Sequence, residues 1–163
     1  MTSVASHLSA HRAVQVGDLA PDFALIDQHG QSVHLGDYLG KSDIILFFYP
    51  KDYTGGCTME VCAFRDHFTE FQSAGAIVLG VSSDTVESHE GFAEKNNLPY
   101  SILSDPNGQI RALYGTPKTF GILQGRVTYM IDKRGIVLHI FDNLVNGPKH
   151  VAEALKILKT TQE

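Results

Sequence analysis

The sequence predicts an α/β sandwich with a mixed central β-sheet flanked by helices and an N-terminal β-hairpin. Apolar runs of strand composition alternate with segments of helical period, and two further strand-like runs precede a terminal helix. The 163 residues are enough for one continuous core. We therefore expect a mobile N-terminal tail at residues 1–14 and one domain at residues 15–163.

The strands are predicted from alternation and from continuous apolar runs. Phe23 and Leu25, then Val33 and Leu35, alternate with polar or small residues around a turn, which predicts the hairpin within residues 17–35. The runs at 43–49 and 76–82 are typical of strands buried on both faces. Shorter strands are expected at residues 100–103, 127–132 and 136–141.

Helical period predicts the remaining elements. Residues 54–74 carry Val61, Phe64, Phe68 and Phe71 on one face, so we expect Glu60 and the other charged residues to lie away from that face. The segment 84–96 is expected to begin with Asp84 as N-cap, with Glu87 in capping-box position. Further helices are expected at residues 107–114 and 148–159, and residues 116–125 are expected to be irregular.

Composition excludes several classes of function. The net charge of −5 and the lack of a basic run argue against binding to nucleic acid or to an anionic membrane. No apolar run approaches the length of a membrane span, and the first 14 residues hold no signal-peptide core. We expect a cytoplasmic protein, or one of the chloroplast stroma or lumen if the chain is a processed plant protein.

The chemistry is expected at Cys57. This residue follows a predicted strand and the segment Thr54-Gly55-Gly56, so it falls in the first turn of the 54–74 helix. Unpaired N–H groups and the positive end of the helix dipole favour a thiolate there, and a thiolate is the nucleophilic form of cysteine. The hydroxyl of Thr54 can donate or accept a hydrogen bond at the helix mouth.

The second cysteine, Cys62, lies five residues further along the same helix. On an intact helix the two Cα atoms are separated by about 7.5 Å of rise and by roughly 140° around the axis. A disulfide requires Cα atoms within about 6.8 Å and converging Cβ atoms. A Cys57–Cys62 disulfide therefore requires the first turns of the helix to unwind, and Gly55-Gly56 is a suitable hinge.

Other thiol chemistries fit this spacing less well. Disulfide exchange at a helix start usually uses Cys-x-x-Cys, whereas this chain has four residues between its cysteines. A metal site requires further Cys or His ligands, but the eight histidines are scattered and we expect surface or loop positions for them. A general thiol-disulfide oxidoreductase and a non-enzymatic thiol or metal-binding module, such as a copper chaperone, stay open as alternatives.

The segment FYPKDYTGGCTMEVCAFRD at residues 48–66 resembles the active-site segment of peroxiredoxins, in particular the peroxiredoxin Q or bacterioferritin-comigratory-protein group. Pro50, Thr54 and Cys57 match the pattern Pro-x-x-x-Thr-x-x-Cys. The resemblance extends over about residues 16–159, through GDLAPDF at 17–23, LPYSILSDPNG at 98–108 and GRVTYMIDKRGIV at 125–137. The last segment looks closest to chloroplast and cyanobacterial members.

This resemblance implies a thioredoxin-like fold and a thiol peroxidase that reduces hydrogen peroxide and organic hydroperoxides. It implies Cys57 as the peroxidatic cysteine, Cys62 as the resolving cysteine, and Thr54, Pro50 and Arg126 as active-site residues. Glu60 also matches the family pattern, without a defined role. The family further implies an antioxidant monomer that is reduced by thioredoxin and needs no metal or organic cofactor.

The chain departs from the family at Gly55, where relatives usually carry proline. Proline restricts φ and lowers the entropy of a loop, and glycine does the opposite. We therefore expect a less preorganised pocket and easier unwinding in this chain.

Overall fold

The computed structural model describes residues 12–116, 118–119 and 123–162, and the other residues, including most of the predicted tail at 1–14, lie outside the described part of the chain. Seven strands form one sheet: β1 (Ala24–Asp27), β2 (Ser32–His34), β3 (Asp43–Phe48), β4 (Ala76–Ser82), β5 (Ser101–Ser104), β8 (Val127–Ile131) and β9 (Val137–Asp142). Two further short strands, β6 (Lys118–Thr119) and β7 (Leu123–Gln124), pair with each other.

The sheet is mixed, in the order β2-β1-β5-β4-β3-β8-β9. Strand β3 runs parallel to β4, and β4 runs parallel to β5, whereas the remaining neighbours are antiparallel. Strands β1 and β2 form the expected hairpin, and the apolar runs of β3 and β4 occupy central positions. The predicted α/β sandwich with a mixed sheet is confirmed.

Helices cover both faces of the chain's central strands and enclose two apolar cores. The helices are α1 (Gly55–Asp66), α2 (Phe68–Ser73), α3 (Val86–Asn96), α4 (Gln109–Tyr114) and α5 (Gly147–Gln162), with 3₁₀ turns at Leu35–Tyr38 and Pro106–Gly108. One core packs beneath α1 and α5, and the other lies on the opposite face of the sheet. No helix in the described part of the chain is long and apolar enough to span a membrane.

Two helix predictions need correction. The single helix expected at 54–74 is broken at His67, whose backbone (φ −106°, ψ 11°) ends α1 and begins α2. The kink still buries Phe64 and Phe71 in the same core. The N-cap of α3 is Thr85, whose hydroxyl accepts from the Ser88 amide, and not Asp84, which is engaged in other hydrogen bonds.

Candidate active site

The sheet brings the ends of two strands together at the start of α1. Strands β3 and β8 are antiparallel and pair Phe48 with Val127, so the segment after β3 and the residue before β8 are neighbours. The chain after β3 runs through Pro50 into α1, and the residue before β8 is Arg126. This register places Arg126 beside the first turn of the helix that carries both cysteines.

Arg126 donates from Nη1 to the sulfur of Cys57 at 3.3 Å. The same nitrogen lies 2.7 Å from Oε1 of Glu60, and Nε donates to the Leu144 carbonyl oxygen at 2.9 Å, so the guanidinium is fixed from three directions. Cys57 is fully buried. A guanidinium in contact with a buried sulfur stabilises negative charge at that position and provides further N–H donors for a bound oxygen.

Gly56 makes this close approach possible. A Cβ atom at position 56 would lie 3.0 Å from Nη2 of Arg126, tighter than an ordinary van der Waals contact. A Cβ atom at Gly55 would meet nothing within 4 Å. The two glycines therefore have different roles, because position 56 makes room for the cation whereas position 55 only affects the freedom of the backbone.

Glu60 lies inside the site, so the expectation that it points away from the buried face is wrong. Its side chain is completely buried, and Arg126 pairs with Oε1 while Oε2 has no hydrogen-bond partner. Burial raises the pKa of Glu60 to about 8, because the loss of hydration outweighs the attraction of Arg126. At neutral pH the carboxyl is therefore mostly protonated, next to a buried sulfur and a buried cation.

His150 extends this buried cluster from the first turn of α5. Its Nδ1 lies 2.7 Å from the Thr128 hydroxyl and 3.6 Å from Oε2 of Glu60, and its Nε2 lies 2.8 Å from the Asn143 carbonyl oxygen. Burial lowers the pKa of His150 to about 4, so the ring is neutral at pH 7. The expectation of a surface or loop position is wrong for this histidine, because hydrogen bonds satisfy both ring nitrogens in the interior.

Thr54 and Pro50 lie beside the site, and neither forms a hydrogen bond with Cys57 in this structure. Thr54 is the N-cap residue of α1, with an extended backbone, and its hydroxyl donates to the Lys51 carbonyl oxygen at 2.9 Å. Pro50 is half-buried at the end of β3. The exposed residues 53–56 form the outer wall above the buried thiol.

Cys62 lies in the third turn of α1, where its thiol donates to Oδ1 of Asn96 at 3.5 Å. Both cysteines are free in this structure. Because α1 is continuous from 55 to 66, this agrees with the helix geometry, which keeps the two sulfurs apart while the helix is wound. Helix α3 thus holds the second cysteine through Asn96.

Sequence reasoning missed a second buried arginine, Arg111. It donates from Nη2 to the Tyr49 carbonyl oxygen and from Nη1 to the Gly125 carbonyl oxygen, each at 3.0 Å. These bonds tie the end of β3 to the residue before Arg126. No motif distinguishes this arginine in the sequence, because its partners are backbone atoms that meet only in the folded chain.

Asp52, Asp84 and His89 are the one group in the described residues whose ligand atoms could converge on a metal ion. In this structure the same atoms are occupied by hydrogen bonds within the protein: Asp52 accepts from Tyr49, Ser88 and His89. Asp84 accepts from the Asp52 amide and from the Ser82 hydroxyl. The cluster is therefore a satisfied hydrogen-bond network, and His89 is a second histidine for which the expected surface or loop position is wrong.

Comparison with known proteins identifies the family. The AhpC/TSA family matches residues 16–140 of the chain. The chain is 48% identical over 147 residues to the chloroplastic peroxiredoxin Q of Arabidopsis thaliana, covering 90% of this chain and 68% of that protein. The chain belongs to the peroxiredoxins. Peroxiredoxin Q of Gentiana triflora is 43% identical over 159 residues, which are 97% of this chain and 73% of that protein.

Solved structures of peroxiredoxins share the fold. The crystal structure of the peroxidoxin BcpB of Mycobacterium tuberculosis superposes with a TM-score of 0.83 at 35% identity, covering 90% of this chain and 97% of that one. The bacterioferritin comigratory protein of Xanthomonas campestris gives a TM-score of 0.81 at 28% identity, with 93% and 100% covered. The thioredoxin-like fold and the peroxiredoxin Q group are therefore confirmed, and this peroxiredoxin is a thiol peroxidase that reduces peroxides.

Proposed function

We propose that Cys57 is the peroxidatic cysteine and that Cys62 resolves it through an intramolecular disulfide. The observation that carries this proposal is the 3.3 Å contact between Arg126 Nη1 and the Cys57 sulfur at the first turn of α1. A cation and a helix N-terminus lie at one buried sulfur, and both stabilise negative charge on an attacking nucleophile there. The residues just before that sulfur in the chain, 53–56, are exposed to solvent.

In the first step the Cys57 thiolate attacks one peroxide oxygen and the O–O bond breaks. The leaving oxygen takes up a proton and departs as water or as an alcohol, and Cys57 becomes a sulfenic acid. Arg126 supplies N–H donors to the oxygen on which charge develops, while the Thr54 hydroxyl can exchange its bond to Lys51 for one to the substrate. Pro50 shields the site from the side of β3.

In the second step α1 unwinds and the Cys62 sulfur attacks the Cys57 sulfur. The S–O bond breaks, water leaves, and the disulfide forms. Unwinding must release the hydrogen bond between Cys62 and Asn96 and the pairing of Glu60 with Arg126. An external dithiol, which we propose to be thioredoxin, then supplies two electrons and two protons and restores both thiols.

Hydrogen peroxide and organic hydroperoxides are the proposed substrates, and the Xanthomonas campestris relative is known for reduction of alkyl peroxides. We further propose that residues 15–163 work as one monomeric domain behind a tail at 1–14. The proposed location is the cytoplasm or, since the plant peroxiredoxin Q relatives are chloroplastic, a chloroplast compartment. No metal or organic cofactor takes part in the proposed cycle.

Mass spectrometry after peroxide treatment tests the cysteine roles. We expect a Cys57–Cys62 disulfide in the unaltered protein, and a sulfenic or more oxidised Cys57 in Cys62→Ser. Cys57→Ser should consume no peroxide with thioredoxin present, and turnover by that variant would contradict the proposal. Reduction of unrelated protein disulfides faster than peroxide would favour the general thiol-disulfide oxidoreductase instead.

A further inference from the structure

The segment from Pro50 to Thr54, which joins β3 to α1, is anchored through Asp52. The carboxylate of Asp52 is buried and accepts three hydrogen bonds: from the Tyr49 hydroxyl at 2.6 Å, the Ser88 hydroxyl at 2.8 Å and Nδ1 of His89 at 2.6 Å. Its backbone N–H donates to Asp84 at 2.8 Å. Four bonds thus fix a single loop residue to the residue after β3, to the segment after β4 and to the first turn of α3.

His89 is a fully buried partner of this loop, and a hydrogen-bonding group faces each of its two ring nitrogens. Its Nε2 lies 3.0 Å from the Leu103 carbonyl oxygen, which can only accept, so this nitrogen donates. Its Nδ1 faces the Asp52 carboxylate. These two contacts link the loop to α3 and, through Leu103, to β5.

The loop needs such an anchor because its next residue is strained. Tyr53 has φ +66°, in the left-handed region that residues with a Cβ rarely adopt. Its ring packs edge-on against Phe92 of α3 at 5.1 Å between centroids, and its hydroxyl lies so close to Gly91 that a Cβ atom there would be 2.6 Å away. Strain of this kind persists only where the surroundings fix the backbone.

We propose that Asp52 and His89 are positioning residues for the peroxidase reaction: they hold the Pro50–Thr54 segment, and with it the first turn of α1, in the geometry that presents Cys57 to peroxide. The inference rests on the proposed role of Cys57. The pair acts through backbone position, because Asp52 lies two residues before the N-cap of the helix and five before Cys57. Neither side chain contacts the sulfur through a hydrogen bond.

Two substitutions at Asp52 separate the effect of the side chain's shape from the effect of its charge. Asp52→Ala removes the anchor, and we expect the second-order rate constant of Cys57 oxidation, followed by stopped-flow, to fall about 10-fold to 100-fold, as misplacement of a reacting group does. Asp52→Asn keeps the shape: its amide can donate to Nδ1 of a neutral His89 while Nε2 still donates to Leu103. We therefore expect Asp52→Asn to stay within about threefold of the unaltered rate.

His89→Gln provides a second, milder variant if Asp52→Ala does not fold. A glutamine can still donate to Asp52 but cannot also bond Leu103, so the rate should fall by about 3-fold to 10-fold. In steady-state assays kcat/KM for peroxide should fall in Asp52→Ala and His89→Gln, while kcat/KM for thioredoxin stays within about twofold. A general loss of structure would lower both.

Glu70→Ala is the matched control, because His67 and Glu70 are also 2.6 Å apart but exposed and distant from the loop. It should not change either rate constant. An unaltered peroxide rate in Asp52→Ala or His89→Gln, an Asp52→Asn as slow as Asp52→Ala, or an equal loss in Glu70→Ala would each overturn the inference. Turnover by Cys57→Ser, in contrast, would contradict the proposed function itself.

Discussion

Raising the pH from about 5 to about 8.5 should loosen α1, because Glu60 must lose its proton in a buried position. Burial raises the pKa of Glu60 from 4.5 to about 8 while α1 is wound. When α1 unwinds, the carboxyl is hydrated again and recovers its ordinary pKa. Unwinding therefore releases a proton at any pH between these two values.

The sign and size follow from this difference. The stabilisation that protonated Glu60 gives to the wound helix is fully present below pH 4.5 and is lost as the pH rises to about 8. At about 1.4 kcal/mol for each pH unit, the free energy of unwinding falls by on the order of 5 kcal/mol across the window. Between about pH 6.5 and pH 8, the expected increase in the unwound population is roughly 15-fold.

The other titratable groups that face Glu60 keep their charge state between about pH 6.5 and pH 8. Arg126 stays charged, Tyr100 stays neutral because burial raises its pKa, and His150 stays neutral because burial lowers its pKa to about 4. Replacing both cysteines by serine removes the thiols from the titration. Within this variant Glu60 is the group of the cluster that changes charge between about pH 6.5 and pH 8.

Amide hydrogen exchange of the double-serine variant measures the effect directly. After division by the intrinsic exchange rate, protection of the α1 amides should fall as the pH rises, while α3 amides serve as an internal reference. The same variant with Glu60→Gln added should show no such dependence, because it has no carboxyl at this position. A flat profile in the presence of Glu60, or an equally steep profile after the Glu60→Gln substitution, would refute the reasoning.

Three further predictions concern the same helix. Gly55→Pro fits the first helical position, since Thr54 is already extended (φ −82°, ψ 151°) and a Cβ atom at position 55 would meet nothing within 4 Å. The substitution should stabilise wound α1 by about 0.4–1 kcal/mol and slow disulfide formation, measured by stopped-flow, by about 2-fold to 5-fold. Unchanged rates would contradict the expected effect of this glycine. Gly56→Ala should displace Arg126 and slow Cys57 oxidation by about tenfold. Gly55→Ala is the control, because it leaves the guanidinium in place. Equal oxidation rates for the two variants would count against a role for the contact between Arg126 and Cys57. Tyr100→Phe removes the 2.7 Å hydrogen bond from the Tyr100 hydroxyl to the Val61 carbonyl oxygen. Such a bond contributes about 1 kcal/mol to the wound helix, so disulfide formation should be about fivefold faster. A slower reaction would contradict the idea that this bond holds α1 wound.

The fold was largely predictable because its signals are local. The apolar runs of β3 and β4, the alternation of the hairpin and the helical period of α5 each lie within a few neighbouring residues. The break at His67 was not predictable from period alone, since Val61, Phe64 and Phe71 fit one continuous helix and all three are buried. The second half, α2, packs against β4, a contact between segments that helical period does not reveal.

The site was predictable where a motif or a charge pattern lies in one segment, and not where distant polar groups meet. Cys57, Thr54 and Cys62 lie together in the segment at residues 48–66, and Arg126 lies in a segment that resembles the family. Glu60 looked like an exposed helix residue because no sequence rule shows that its partner is 66 positions away. The same holds for His89 and Asp52, 37 positions apart.

These buried polar contacts explain why one helix can serve both half-reactions. In the proposed cycle, α1 must stay wound during peroxide attack so that Arg126 and the helix N-terminus act on Cys57. For the disulfide, the same turns must open. Hydrophobic packing alone would make opening costly at every pH, whereas hydrogen bonds to Glu60 and Cys62 can be exchanged for bonds to water when the helix unwinds. Polar contacts on the buried face of α1 therefore lower the free-energy cost of unwinding, as the proposed cycle, which visits both states in each turnover, requires.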